Sequence, residues 1–257
     1  MTIAILDEKG QVVRTLAAPK NAGLNRVHWD FRYEPTNEVR LRTSPLYAPD
    51  IRPGPEGWRS GGQRFSILAP PGTYTVKLSV GGRDLTEPLT VRKDPHSGGS
   101  EAEIAEQIKM LFELRADIES AADLINGIEL VRSQLQSLPR LIQDTEVTKT
   151  ATGIEQKFIE LEGNLLELRS TGRGQDGVRW GAKLYQKFDY LASGLMSNDY
   201  RPTAQQLEVK ASLEEQLRAH QGQFTTLVNT DLAAFNDVLR KRNVPIIFVP
   251  STRKTSN

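Results

Sequence analysis

Between Ala69 and Pro95 the chain reads APPGTYTVKLSVGGRDLTEPLTVRKDP, and no other stretch constrains the fold as tightly. Tyr74, Val76, Leu78 and Val80 recur at every second position, separated by Thr75, Lys77 and Ser79. A strand sends successive side chains to opposite faces, so this period of two describes a strand with one apolar and one polar face. Gly81-Gly82 marks a hairpin-type turn, after which Leu85, Leu89 and Val91 resume the pattern. Val27, Trp29, Phe31 and Tyr33 read as one face of a further strand, with His28, Asp30 and Arg32 on the other. Glu8-Lys9-Gly10 is a turn between Ile3/Ile5 and Val12/Val13. Half-buried strands separated by turns predict an antiparallel β-sandwich over residues 1–95.

The alternation lapses over residues 34–64. Pro53, Gly54, Pro55, Gly57, Gly61 and Gly62 mark a long loop there. Past the turn-rich run Asp94 to Gly99 the apolar period changes to 3.6. Ser100 and Glu103 form a capping box, in which the hydroxyl and the carboxylate satisfy first-turn amides reciprocally. Ile104, Ile108, Leu111, Leu114, Ile118, Ala121, Ile125 and Ile128 then make one stripe, and Pro139 bounds the helix. A second helix carries Ile154, Phe158, Leu161, Leu165 and Leu168; a third carries Leu184, Phe188, Leu191 and Leu195. The fourth starts at Thr203, runs through Leu217, Phe224, Leu232 and Phe235, and ends near Leu239. The expectation is an α+β, multi-domain chain: an immunoglobulin-like antiparallel sandwich (1–95), then an antiparallel four-helix bundle (100–240). Residues 244–250 form a short strand or docking segment, and 251–257 are expected to be disordered.

Composition narrows the function classes. Net charge is +1, so bulk electrostatics recruits neither nucleic acid nor a membrane surface. The charge is uneven: residues 1–99 carry 14 basic and 10 acidic side chains, residues 100–170 carry 7 and 14. The absence of cysteine excludes disulfides and thiolate metal sites. No apolar run reaches the roughly 18–20 residues of a membrane span. The start MTIAILDEKG lacks the basic and apolar regions of a signal peptide, and its early strand pattern fits either a short first strand or a chain that begins partway into a domain. None of this assigns a compartment.

The runs GLNRVHWDFRYEP (Gly23 to Pro35) and Ala69 to Pro95 together resemble the C-terminal region of bacterial sortilin-like β-propeller proteins, often labelled BNR-repeat or "glycosyl hydrolase" proteins. The sandwich also resembles the immunoglobulin-like domain of flagellar hook-capping proteins, where G-x-N-x-x-x-W-D and P-x-G-x-Y strands recur. The helices, including DYRPTAQQLEVKASLEEQL, are similar to the helical tail of the propeller proteins, so the resemblance covers nearly the whole chain. No propeller repeats accompany it here. The resemblance therefore implies an accessory tail, with a β-propeller domain or a second copy of the chain as partner, and brings no activity with it.

No residue pattern here assigns a catalytic, cofactor or metal site. Trp29-Asp30 reads as core tryptophan and turn carboxylate, and Gly72 as a turn glycine of positive φ. Gly172 to Gly177 spells G-x-G-x-x-G but lies among helices, where a dinucleotide site would need a preceding strand. His28, His96 and His220 lack ligand spacing, and Ser66, Ser79 and Ser100 lack a nucleophile elbow. Asp30, Glu34, Asp50 and Glu56 are the scattered acids that a glycosidase reading would need. The best contact surface is the loop holding Arg40, Arg42, Tyr47, Arg52, Trp58, Arg59 and Arg64, because arginines and aromatics anchor interfaces and stack on sugars. The function expected is non-catalytic structural or protein-interaction support. A carbohydrate- or peptide-binding module using loop 40–64 is the first alternative, and a glycoside hydrolase-related protein the second.

Overall fold

The computed structural model describes residues 1–54, 58–59, 64–171 and 174–249, and of Trp58 and Arg59 only the backbone. The expectations for Glu56, Gly172 and residues 251–257 lie outside the described residues. The chain is mixed α and β, with a four-stranded antiparallel sheet, a two-stranded ribbon and a series of helices. Two compact units divide it: Met1–Thr36, Arg64–Ala116 and Leu191–Leu207 in the first, Asn37–Gln63, Asp117–Tyr190 and Glu208–Asn257 in the second. The division does not fall at residues 95–100, because helix α1 (Glu101–Leu141) contributes to both units. Its 41 residues extend about 60 Å, far more than one compact unit of ordinary size can bury.

In the first unit the sheet has the order β2-β1-β5-β6, with β1 Thr2–Leu6, β2 Val12–Ala17, β5 Gly72–Val80 and β6 Arg83–Val91. Gly81 (φ 56°) and Gly82 (φ 75°) form the two-residue turn of the β5–β6 hairpin, a left-handed conformation that costs glycine no Cβ clash. Pro88 lies on β6, the edge strand of the sheet, opposite Thr75 of β5. Proline has no N–H to lose there, and it blunts the free edge of the sheet. The opposite edge is covered by Glu34, whose N–H donates to Val13 O (2.8 Å) and whose carboxylate accepts from Thr15 N (2.7 Å). Ile5, Val13, Ala69 and Tyr74 form the buried cluster, with Trp29, Tyr33, Val76 and Leu89 packed on it.

The run from Val27 to Tyr33 keeps its alternating burial as far as Trp29 but is not a strand. Its only pairing is an isolated bridge between Arg32 and Leu68. Asp30 accepts a hydrogen bond from Arg32 N (3.1 Å), Trp29 Nε1 donates to Arg32 O (2.9 Å), and Phe31 between them adopts φ 57°. That local turn ends the alternation and leaves Phe31 half exposed. Gly72 also differs from expectation: it opens β5 without a positive φ, and a Cβ there would make ordinary contact with Glu8.

The α1 capping box is formed, with Ser100 N donating to Glu103 (2.9 Å) and Glu103 N donating to Ser100 Oγ (3.3 Å). Ser100→Ala is expected to lower stability by about 1 kcal/mol, read as a shift of the urea midpoint; an unchanged midpoint would contradict this role. Pro139 does not end α1, which runs two residues further to Leu141; the proline sits in the last turn. Helix α4 (Leu184–Leu195) enters the first unit at Leu191. Gln107 of α1 donates to the carbonyl oxygens of Leu195 (2.7 Å) and Asn198, closing that helix end.

In the second unit α2 (Thr145–Leu165) starts on Asp144, which accepts from the amides of Glu146 and Val147. It ends three residues before Leu168, whose side chain is nevertheless buried. A single turn, α3, covers Asp176–Arg179. The last long helix is α5 (Ala204–Leu227); it widens into a π turn at Val228–Leu232 and continues as α6 (Ala233–Lys241). Phe158 and Phe224 meet edge to face at 6.1 Å, and the space a Cβ would fill at Gly127 touches Phe224 at 3.5 Å. That is ordinary contact, and Gly222 faces open space, so neither glycine is required by a close approach. Residues 244–249 form no strand. They are tied down by Asn236 on Ile247 (N–H to Oδ1, 2.8 Å) and by Gln134 on Phe248 (N–H to Oε1, 2.9 Å).

Candidate interaction strap and its buried anchor

The most elaborate polar arrangement lies in the second unit, where residues 37–43 run as a strap along α1. Asp123, Asn126, Glu129 and Arg132 recur at every third position of the helix, a row of successive neighbours that winds half-way round it. The strap meets them in the same order. Asn37 Nδ2 donates to Asp123 (3.1 Å), Arg40 N to Asn126 Oδ1 (2.7 Å), and Asn126 Nδ2 to Glu38 O (2.9 Å). Glu129 ends the row: one carboxylate oxygen accepts from the amides of Arg42 and Thr43 (2.8 Å for Thr43), the other from Thr43 Oγ1 (2.6 Å). Within the strap β3 (Arg40–Leu41) pairs with β4 (Trp58–Arg59) as a two-stranded ribbon.

Behind Glu129 the charges continue inward. Arg132 Nη1 donates to Glu129 (2.8 Å) and to Glu162 of α2 (2.7 Å), with Glu155 3.8 Å from Nη2. Arg132 is 2% exposed, Glu129 1% and Glu162 0%. Burial, and next the negative charge of Glu129, push the Glu162 carboxyl well above the usual carboxylate range, against the opposing pull of Arg132. One oxygen of Glu162 and the Nε of Arg132 are buried without a hydrogen-bond partner among the described residues.

The seven arginine and aromatic residues singled out from the sequence do not gather at one place. Arg40 is exposed and pairs with Glu38, while half-buried Arg42 donates to the carbonyl of Arg40 (3.2 Å). Tyr47, at 78% exposure, and Arg52 also belong to this unit. Arg64 belongs to the other unit, where it donates to the carbonyls of Thr36 (2.5 Å) and Pro35 (3.1 Å). The side chains of Trp58 and Arg59 lie outside the described residues. Sequence reasoning missed a neighbouring aromatic, Trp180, whose ring lies 3.8 Å beneath the Arg169 guanidinium. Arg169 is held above its ordinary value, chiefly by its hydrogen bonds to Glu167 (2.6 and 2.7 Å) and more weakly by the Tyr47 phenol nearby.

The remaining sequence candidates are occupied in holding the fold. Asp30 and Glu34 both face Arg14, at 3.9 and 3.6 Å, Asp50 is exposed, and Ser66 and Ser79 donate to Tyr33 O and Asp84. Two open concavities accompany these features: about 520 Å³ in the first unit between Pro70-Pro71 and Ile104, and about 630 Å³ in the second beside Leu161 and Gly222. Among the described residues no cluster of histidine and acidic side chains has metal-binding geometry, and no helix is long and apolar enough to cross a membrane. No protein-family model, characterised protein or solved structure matches this chain.

Proposed function

We propose that this chain is a non-catalytic structural or protein-interaction region in which the strap and the residues after it present the contact surface. The observation that carries this reading is the division of labour in residues 38–47. The backbone of the strap is tied to Asn126 and Glu129, while the Arg40 side chain, paired with Glu38, and the Tyr47 side chain remain exposed. A surface whose backbone is already ordered loses little conformational entropy on binding, which is what favours a preformed interface. The finer fold reading belongs to the same proposal. The one-faced sheet is the sheet of an immunoglobulin-like sandwich, and the long helices are those of an antiparallel bundle. Together they serve as the accessory tail of a sortilin-like propeller protein.

Arg40→Ala/Tyr47→Ala in the full chain tests the surface. Titration against a separately expressed sortilin-like propeller is expected to show binding that the double variant weakens about a hundredfold, the loss of two interface anchors. Equal binding by both proteins would remove the strap from the interface. A second reading, glycan binding, is favoured by exposed Tyr47 and by the Arg169–Trp180 stack, the two segments being joined where Leu46 N donates to Leu168 O (3.1 Å), since aromatic faces and guanidinium planes both suit sugar rings. Retention on a glycan array that Tyr47→Ala abolishes, with no affinity for the propeller, would establish it.

A further inference from the structure

The Glu129–Arg132–Glu162 cluster is more than a buried ion pair, because its charges do not balance. Glu129 and Arg132 come from α1, Glu162 and the more distant Glu155 from α2, and the strap supplies only amides and the Thr43 hydroxyl. The Arg42 guanidinium is turned elsewhere, to the carbonyls of Arg40 and Asn126. Two fully buried carboxylates thus share one buried guanidinium, both accepting from Arg132 Nη1 at 2.8 and 2.7 Å. An excess charge without water around it costs several kcal/mol, and a proton removes it. The oxygen of Glu162 that lacks a partner is a natural seat for that proton.

We propose that the Glu162 carboxyl holds a proton and that this proton latches the strap to α1. With the proton in place the cluster is neutral overall, and Glu129 keeps all its acceptor capacity for Arg42, Thr43 and Arg132. Without it, two carboxylates repel in a dry site, and water must enter to separate them. The strap yields first. Its own apolar anchors are only Val39 and Leu41, beside a two-residue ribbon and a few hydrogen bonds, whereas α2 is held by Val147, Ala151, Ile154, Phe158, Leu161 and Leu165 in the core. The direction with pH follows from linkage. The folded state holds this proton more tightly than the unfolded chain, so stability falls as pH rises above the ordinary glutamate value of about 4.3. It stops falling only beyond the folded-state value. Acid keeps the strap closed and alkali opens it, which would make presentation of Arg40 and Tyr47 sensitive to pH.

Amide hydrogen exchange on the full chain tests this without any partner, so its outcome is separate from the contact reading above. Exchange is followed from pH 5.5 to 9 and corrected for the intrinsic rate. Protection at Arg42 and Thr43 is expected to fall by up to about tenfold per pH unit between the ordinary glutamate value and the folded-state value of the cluster, and then to level off, while inner amides of α2 hold theirs. In Glu162→Gln, whose amide cannot ionise, strap protection is expected to stay flat. Flat protection in the unaltered chain would overturn the proposal, as would the same pH dependence in Glu162→Gln or loss of α2 protection in step with the strap. Carbon-13 titration of the glutamate carboxyls in the unaltered chain serves where Glu162→Gln fails to fold. A Glu162 carboxyl that reads as protonated at pH 6 supports the latch; one already ionised there refutes it.

Discussion

Arg132→Met is expected to destabilise the chain by about 3–5 kcal/mol at pH 7, because it strips the only cation from two fully buried carboxylates. The methionine fills much of the arginine's volume, so the loss is electrostatic rather than a cavity effect. It is expected to shrink when Glu162 is also made Gln, since one of the two acids can then no longer carry charge. Urea unfolding of the two single variants and the double variant measures this coupling directly. A single-variant loss under about 1 kcal/mol would mean that Arg132 is replaceable packing and the cluster is not a charge-coupled unit.

Gly99→Ala is expected to cost about 3 kcal/mol, for a reason that has nothing to do with backbone strain. Gly99 has no positive φ; instead, a Cβ added there would overlap the carbonyl oxygen of Asp199, and a main-chain atom cannot swing aside. Its neighbour provides the comparison. A Cβ on Gly98 would meet the Tyr200 hydroxyl at 2.5 Å, the far end of a side chain that can rotate away. Gly98→Ala should therefore lose much less, and the difference in thermal midpoint between the two variants reads the close approach of residues 99 and 199. Equal effects would mean that the approach is not required by the fold.

How much of the molecule is legible in the sequence depends on how local the cause is. The β5–β6 hairpin is written out by the alternation Tyr74, Val76, Leu78, Val80 and by Gly81-Gly82, where no other part of the chain has to be known. The α1 capping box is equally local, with Ser100 and Glu103 three residues apart. Val27 to Tyr33 shows the limit of pattern reading. Its alternation is real, but Asp30 and Trp29 bend the backbone at Phe31, and a period of two does not record who bonds to a side-chain oxygen. The arginines of the loop mark it as a contact candidate, but they carry no sign of its anchor. The row Asp123, Asn126, Glu129, Arg132 is visible as polar residues spaced three apart in an otherwise apolar part of the helix. Nothing nearby in the sequence tells that row what it binds.

Local chemistry thus determined the kinds of element: a one-faced hairpin, a capped 41-residue helix, and apolar stripes that must be buried against something. The tertiary structure alone decided that α1 serves two compact units and that Glu129 grips amides 86 and 87 positions away. It alone decided, too, that Arg132 is shared with Glu162 of another helix. The physical reason is range. Periodicity and capping act over a few residues and leave a mark in each segment. A buried charge depends on which distant groups displace its water, and that is settled only when the chain has closed around it.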